Sequence, residues 1–424
     1  MVKKQKDNST TFIDNMKLPI HRWFRYSAGF SAQWVEKVVN EKIEEHKLNR
    51  ECVKVLDPFV GSGTTLLACE EIGVKAYGFE SHPLIYRVAD AKLQWDIELD
   101  NFISMSNEIV EGARQIQGST EGFPELIYKC YTNDNIEKLD SIKKSIENRF
   151  DGTGEAKLCW LAFVAILRNS SHAGTAQWQY VLPNKTKVKV SDPFEAYIKQ
   201  IDIMANDIQY VKNTCNINNK AELFNHDCRV LYNDLEENSI DFVITSPPYA
   251  NNYDYADATR LELSFLGEIT GWSDLQEYVR QYLVRACTQH VSSLKKETFN
   301  LLQDEILKPI YDEILNVCTE LDIEKDNHGG KKNYHTMIAS YFLDIANVLK
   351  QLRYYCKEGS EVCFVIGDSA PYGIYVPVDR WIGELALSLG FKEYNFIKVR
   401  DRNTKWKNRK HDVLLKEGFL WIKG

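Results

Sequence analysis

Two short stretches combine residue types and spacings that could do chemistry. The first is Asp57-Pro58-Phe59-Val60-Gly61-Ser62-Gly63-Thr64-Thr65, with Glu80 following. Its glycines let backbone approach a ligand closely, and the helix start behind them offers unpaired N–H groups. A carboxylate at the next strand end can accept from two ribose hydroxyls. A tight turn with no ligand would use the same glycines. A nicotinamide dinucleotide would also fit the spacing, although Leu66 stands where the third glycine of its fingerprint belongs. The second stretch is Thr245-Ser246-Pro247-Pro248-Tyr249. Paired prolines lack backbone donors and stiffen the chain, so the carbonyls around them are left as outward acceptors. Such acceptors suit an amino group, and Tyr249 offers a flat face to a planar base. The bland alternative is a rigid loop after a strand.

Strands and turns must hold these stretches in place. Residues 53–80 read as strand, glycine turn, helix and strand, the opening βαβ unit of a doubly wound α/β sheet. The next clear strand, Ile240 to Ile244, leads straight into Ser246, which puts the prolines at the carboxyl end of a central parallel strand, where ligands of open sheets bind. Between them, helical periodicity marks Phe102 to Ile116, Ile136 to Ile146, Leu158 to Leu167 and Tyr197 to Val211, with one β-like segment over Gln177 to Val190. A second helical block fills 256–355. The sheet resumes at Glu361 to Asp368 and ends in an antiparallel hairpin, Tyr394 to Val399 with Val413 to Ile422. The expected division is an arm and first half-sheet over 1–95, a mainly helical insertion over 96–221, the catalytic strand and loop over 222–268, a helical insertion over 269–355, and the rest of the sheet over 356–424.

Composition bounds the rest. With 52 Lys and Arg against 60 Asp and Glu in 424 residues, the net charge of -8 excludes a uniformly basic coat for nucleic acid. Ten cysteines without a C-x-x-C pair, and nine histidines without ligand spacing, predict no metal site and a reducing cytoplasm. The start, Met1 to Thr11, lacks the apolar stretch of a secretory signal, and the longest apolar run, Leu158 to Leu167, is far short of the roughly 20 residues that cross a bilayer, so no membrane partner is expected.

Together, Asp57 to Thr65 and Ser246 to Tyr249 resemble the motifs of the amino-group DNA methyltransferases that use S-adenosylmethionine. The resemblance implies a class I methyltransferase-type sheet. It implies that Asp57, Phe59, Gly61, Ser62, Gly63, Thr64 and Thr65 hold the cofactor, that Glu80 binds its ribose, and that Asp227 sits near its adenine. The segment His21 to Ser31 is similar to the motif that completes the methionine end of that pocket, which adds Ser31; a structural cap is the alternative. Ser246, Pro247, Pro248 and Tyr249 would hold a flipped base whose amino nitrogen is methylated. The serine form of that motif is the one most often found in N4-cytosine enzymes. The cofactor motif precedes the Pro-Pro motif here, an order less common among them, and adenine N6 is the alternative target. The same two motifs would also suit an RNA guanine-N2 methyltransferase, or a catalytically idle DNA-binding subunit that kept the fold.

Double-stranded DNA is then the expected partner, with a cognate restriction endonuclease or defence-system protein as a possible companion. Phosphate contact is expected from Lys398, Arg400, Arg402, Lys405, Lys407, Arg409 and Lys410, clustered around Trp406 in the final hairpin, with Arg168, Lys185 and Lys187 as a weaker set in the first insertion. A solvated hairpin would carry the same charges.

Overall fold

The computed structural model describes residues 8–27, 29–176, 179–215, 219–329, 331–402 and 413–424. Its strands are β1 (Lys54–Asp57), β2 (Lys75–Phe79), β3 (Ala173–Thr175), β4 (Val181–Thr186), β5 (Glu222–Phe224), β6 (Ile240–Thr245), β7 (Cys356–Gly367), β8 (Glu393–Arg402) and β9 (Leu415–Lys423). Seven form a sheet in the order β5-β2-β1-β6-β7-β9-β8, while β3 and β4 pair separately. The strands from β5 to β7 run parallel, and β9 is antiparallel to both of its neighbours. This is the expected doubly wound sheet closed by an antiparallel hairpin.

Period-two alternation explains why the sheet needs cover on both faces. Val55, Phe242, Ile244, Cys363 and Val365 pack into one apolar core with helices α1 (Ala32–Glu45), α2 (Thr64–Glu71) and α3 (Pro83–Lys92). Leu56, Val243, Val362, Phe364 and Ile366 point the other way, into a second core. The first core extends into the insertion α4 (Leu99–Gln115), α5 (Glu125–Cys130), α6 (Asn133–Glu147), α7 (Gly154–Ser170) and α8 (Pro193–Thr214). Side-chain oxygens of Thr132, Thr153 and Asp192 cap α6, α7 and α8, and Pro193 occupies the first turn of α8. Helix α7 is buried on nearly every side, which is why its apolar run lacks a polar face.

Beyond α9 (Arg260–Leu266), the second insertion is less regular than its periodicity predicts. Two one-turn helices, α10 (Leu275–Tyr278) and α11 (Thr298–Leu301), alternate with 3-10 turns before α12 (Tyr311–Asn327) and α13 (Tyr334–Tyr355). These last two, with α14 (Val378–Ser388), cover the second face. Strand β5 is absent from the sequence-based expectation; three residues, one of them charged, leave no alternation to read. Among the described residues, no helix is long and apolar enough to cross a membrane.

Candidate active site

The sheet changes direction between β1 and β6, and the two motifs meet there. Val55 pairs with Phe242 and Leu56 with Val243, so both strands end together. The Thr245 hydroxyl then donates to Asp57 Oδ1 at 2.6 Å, across 188 positions of sequence. A cavity of about 1540 Å³ opens beyond these ends, with Phe59, Gly61, Thr64 and Glu80 on one side and Ser246, Pro248 and Tyr249 on the other. Such a crevice at a strand-order reversal is where open α/β sheets bind ligands.

On the first side, Gly61 and Gly63 have φ of +55° and +95°, the left-handed region that glycine enters without penalty. A Cβ at Gly61 would also come within 3.3 Å of the Tyr26 ring. The turn lets Gly61 N–H donate to Glu80 Oε2 at 2.8 Å, while His82 N–H donates to Oε1 at 2.7 Å. Each carboxylate oxygen keeps a free lone pair toward the cavity. Burial pushes the Glu80 carboxyl up to about 7, against the pull of those two N–H donors. Asp227 lines the same wall, its oxygens held by the Arg229 guanidinium at 2.6 to 3.0 Å. Two carboxylates beside the apolar edges of Phe59 and Phe79 form a surface suited to a hydroxyl-rich, positively charged nucleoside.

On the second side, Ser246 Oγ donates its proton to the Val365 carbonyl at 3.2 Å, which leaves its lone pairs as acceptors. Tyr249 lines the cavity with the Arg402 guanidinium 5.0 Å from its ring centroid. Pro247 is buried behind Pro248, and only the latter lines the wall.

Several expected site residues lie elsewhere. Asp57 is 1% exposed and serves the fold: it accepts from Thr245 and from Phe59 N–H, and burial pushes its carboxyl up to about 6. Gly63 precedes α2, and Thr65 donates to the Ile244 carbonyl behind the wall. Ser62 faces a small adjoining pocket with Asn15 and His21. Ser31 caps α1 by accepting from Trp34 N–H.

The basic residues also divide. Arg168 is tied into the interior by Glu262 at 2.5 Å, the Gln179 carbonyl and the Ala258 carbonyl, so its guanidinium does not face solvent. Lys187 donates to the Arg168 carbonyl, and Lys185 is exposed. Arg400 and Arg402 turn inward to Glu417, which is 3% exposed, and both line the cavity. Lys398 is exposed and paired with Asp401. Lys405, Trp406, Lys407, Arg409 and Lys410 lie outside the described residues.

Residues outside the Asp57–Thr65 and Ser246–Tyr249 stretches also join the site. Tyr26 and Phe30 close the first side of the cavity, held there because Asp207 on α8 accepts from Ile20 N–H, from Arg22 and from the Trp23 indole. Gln179 bridges Ser27 N–H and the Arg25 carbonyl, and the Tyr180 hydroxyl next to it accepts from Asp254 N–H. Asp254 is fixed by the buried Arg280 at 2.8 Å. Against the burial that raises it, the hydrogen-bonded Arg280 guanidinium, with the His290 ring 3.8 Å away, holds its carboxyl down at about 2. Tyr26 and Phe30 fall in the segment His21 to Ser31 that the sequence singles out as similar to the pocket-completing motif.

Residues 3–91 match the family model described as DNA methylase. The chain is 28% identical to Type II methyltransferase M.AvaI of Nostoc sp. over 410 residues, which cover 90% of this chain and 81% of the relative. It is 25% identical over 437 residues to Type II methyltransferase M.BsoBI of Geobacillus stearothermophilus, covering 92% and 82%. With Type II methyltransferase M.MvaI of Kocuria varians the identity is 22% over 417 residues, covering 93% and 86%. No solved structure matches at a comparable level. These similarities bear out the resemblance to the amino-group DNA methyltransferases, in a chain that shares most of its length with type II methyltransferases.

Proposed function

We propose that this protein is a site-specific DNA methyltransferase that transfers a methyl group from S-adenosylmethionine to the exocyclic amino group of a flipped base, cytosine N4. The observation that carries this reading is the meeting of the Gly61–Glu80 wall and the Ser246–Tyr249 loop in one cavity. When bound, the cofactor supplies an electrophilic sulfonium methyl. Glu80 and Asp227 would hold the ribose and adenine, and Phe59 would pack against the adenine ring. An amino group attached to a base ring has its lone pair delocalised, so the chain must orient that nitrogen. Accepting hydrogen bonds from it at Ser246 Oγ and the Pro247 carbonyl would aim its lone pair at the methyl carbon, while Tyr249 stacks on the base. Serine ahead of the two prolines favours cytosine; the order of the two motifs, less common among cytosine enzymes, keeps adenine N6 as the second reading. Double-stranded DNA is the proposed partner, and a restriction endonuclease the proposed companion.

The test is to incubate the protein with S-adenosylmethionine and, in separate reactions, mixed-sequence duplex DNA or total RNA, digest to nucleosides, and identify the product by mass spectrometry. N4-methylcytosine is expected. N6-methyladenine would keep the mechanism and replace the base, and methylated guanine from RNA alone would overturn the DNA assignment.

A further inference from the structure

Methylation of an amino group releases a proton, and the acceptors named so far cannot take it. Ser246 offers a neutral hydroxyl and Pro247 a carbonyl. Asp368 stands at the carboxyl end of β7, the strand whose Val365 carbonyl receives the Ser246 proton. It is 2% exposed and lines the cavity. The Tyr375 hydroxyl donates to its Oδ2 at 2.8 Å, whereas Oδ1 has no hydrogen-bond partner among the described residues. Buried carboxylate oxygens are ordinarily paired, so an orphaned one on a cavity wall marks a place for a donor that arrives with the ligand.

Two further contacts tie Asp368 to the base loop. Arg402, whose guanidinium lies over the Tyr249 ring, donates to the Asp368 carbonyl at 3.0 Å. The neighbouring Ser369 hydroxyl donates to the Ala250 carbonyl, one residue past Tyr249. The backbone of Asp368 is therefore fixed against the loop proposed to hold the base.

We propose that Asp368 Oδ1 accepts a hydrogen bond from the exocyclic amino group of the flipped base and takes its proton during methyl transfer. This rests on the reading of the cavity given above. The amino lone pair forms the new N–C bond as the S–C bond of the sulfonium donor breaks, and that electron pair stays on sulfur. One N–H proton passes to the carboxylate, so a cation and an anion become a neutral thioether and a neutral carboxyl, which later loses its proton to water. Burial pushes the Asp368 carboxyl up to about 6, within range of a proton acceptor near neutral pH. The titratable and charged groups around it are the neutral Tyr375 hydroxyl, which lowers it by hydrogen bonding, Asp379 on α14, which raises it, and Lys416 on β9, which lowers it; Arg402 and Glu417 line the same wall.

The test measures single-turnover methylation of duplex DNA from pH 5 to 8, with cofactor and DNA affinities measured separately. In the wild type the rate should fall as pH drops through about 6. Asp368→Asn should lose roughly 100-fold or more and flatten that limb, with both affinities within about twofold of wild type. Tyr375→Phe removes the hydrogen bond that lowers the carboxyl, so the limb should move to higher pH. A carbon-13 NMR titration of the Asp368 carboxyl, without cofactor, should show the same upward move. Wild-type rate in Asp368→Asn, loss of cofactor affinity along with rate, or an unmoved limb in Tyr375→Phe would each overturn the proposal. A wild-type protein that methylates no DNA base would instead overturn the cavity reading itself.

Discussion

Tyr249 and Glu80 carry the most specific consequences of the site. Stacking of a base on an aromatic ring contributes about 1–3 kcal/mol, so Tyr249→Ala should lower the methylation rate roughly 5- to 150-fold while cofactor affinity stays near wild type. Parallel turnover and cofactor titrations check this. Glu80 needs its charge to accept from ribose hydroxyls and to favour a cation. Because its carboxyl sits at about 7, cofactor affinity should weaken as pH falls through that value. Glu80→Gln should bind roughly 10-fold or more weakly and lose that pH dependence. Isothermal titration from pH 5.5 to 8.5 reads both effects. Gly61→Val should abolish detectable cofactor binding with the fold intact by thermal melting, since the +55° φ and the Tyr26 ring leave no room for a side chain. Glycines, prolines and the tyrosine were legible in sequence because each has one physical use at such a turn. The particular contacts of Asp368, Gln179 and Asp254 were not, because they come from partners 7 to 154 positions away.

The helical insertion between β2 and β5 does more than lie beside the sheet. Its Asp207 and Gln179 hold the segment that carries Tyr26, and its Arg168 grips Glu262 on α9. Helical periodicity made α4, α6, α7 and α8 readable to within about four residues, whereas the six-residue α5 is too short to show a period. The roles of its basic residues were unreadable, since a guanidinium bound to Glu262 and one awaiting a phosphate look alike in sequence. The Arg168–Glu262 pair is buried, and removing one partner of such a pair costs about 3–5 kcal/mol. Arg168→Ala should therefore lower the unfolding free energy by that order in a urea titration, and leave the salt dependence of DNA binding unchanged. A flattened salt slope with normal stability would return Arg168 to the DNA path.

The molecule carries a net charge of -8, yet the proposed partner is a polyanion. Binding must then rest on local basic clusters. Arg400 and Arg402 face Glu417 and the cavity, and among the rest of the set proposed from sequence the densest run is Lys405, Lys407, Arg409 and Lys410. Neutralising these four together should weaken DNA binding and reduce the slope of log affinity against log salt by up to about 0.9 for each phosphate that the side chains no longer neutralise. The doubly wound sheet was legible from its βαβ opening, and the terminal hairpin from its two alternating strands. The meeting of residues 57–65 with 246–249 follows from strand order, which a single sequence states only through where its ligand motifs fall. The most direct test is transfer of a labelled methyl group from S-adenosylmethionine into duplex DNA by the wild type and by Tyr249→Ala. Label in DNA that falls sharply in the variant is the predicted result. A wild-type protein that binds DNA yet neither binds S-adenosylmethionine nor transfers label would contradict the account.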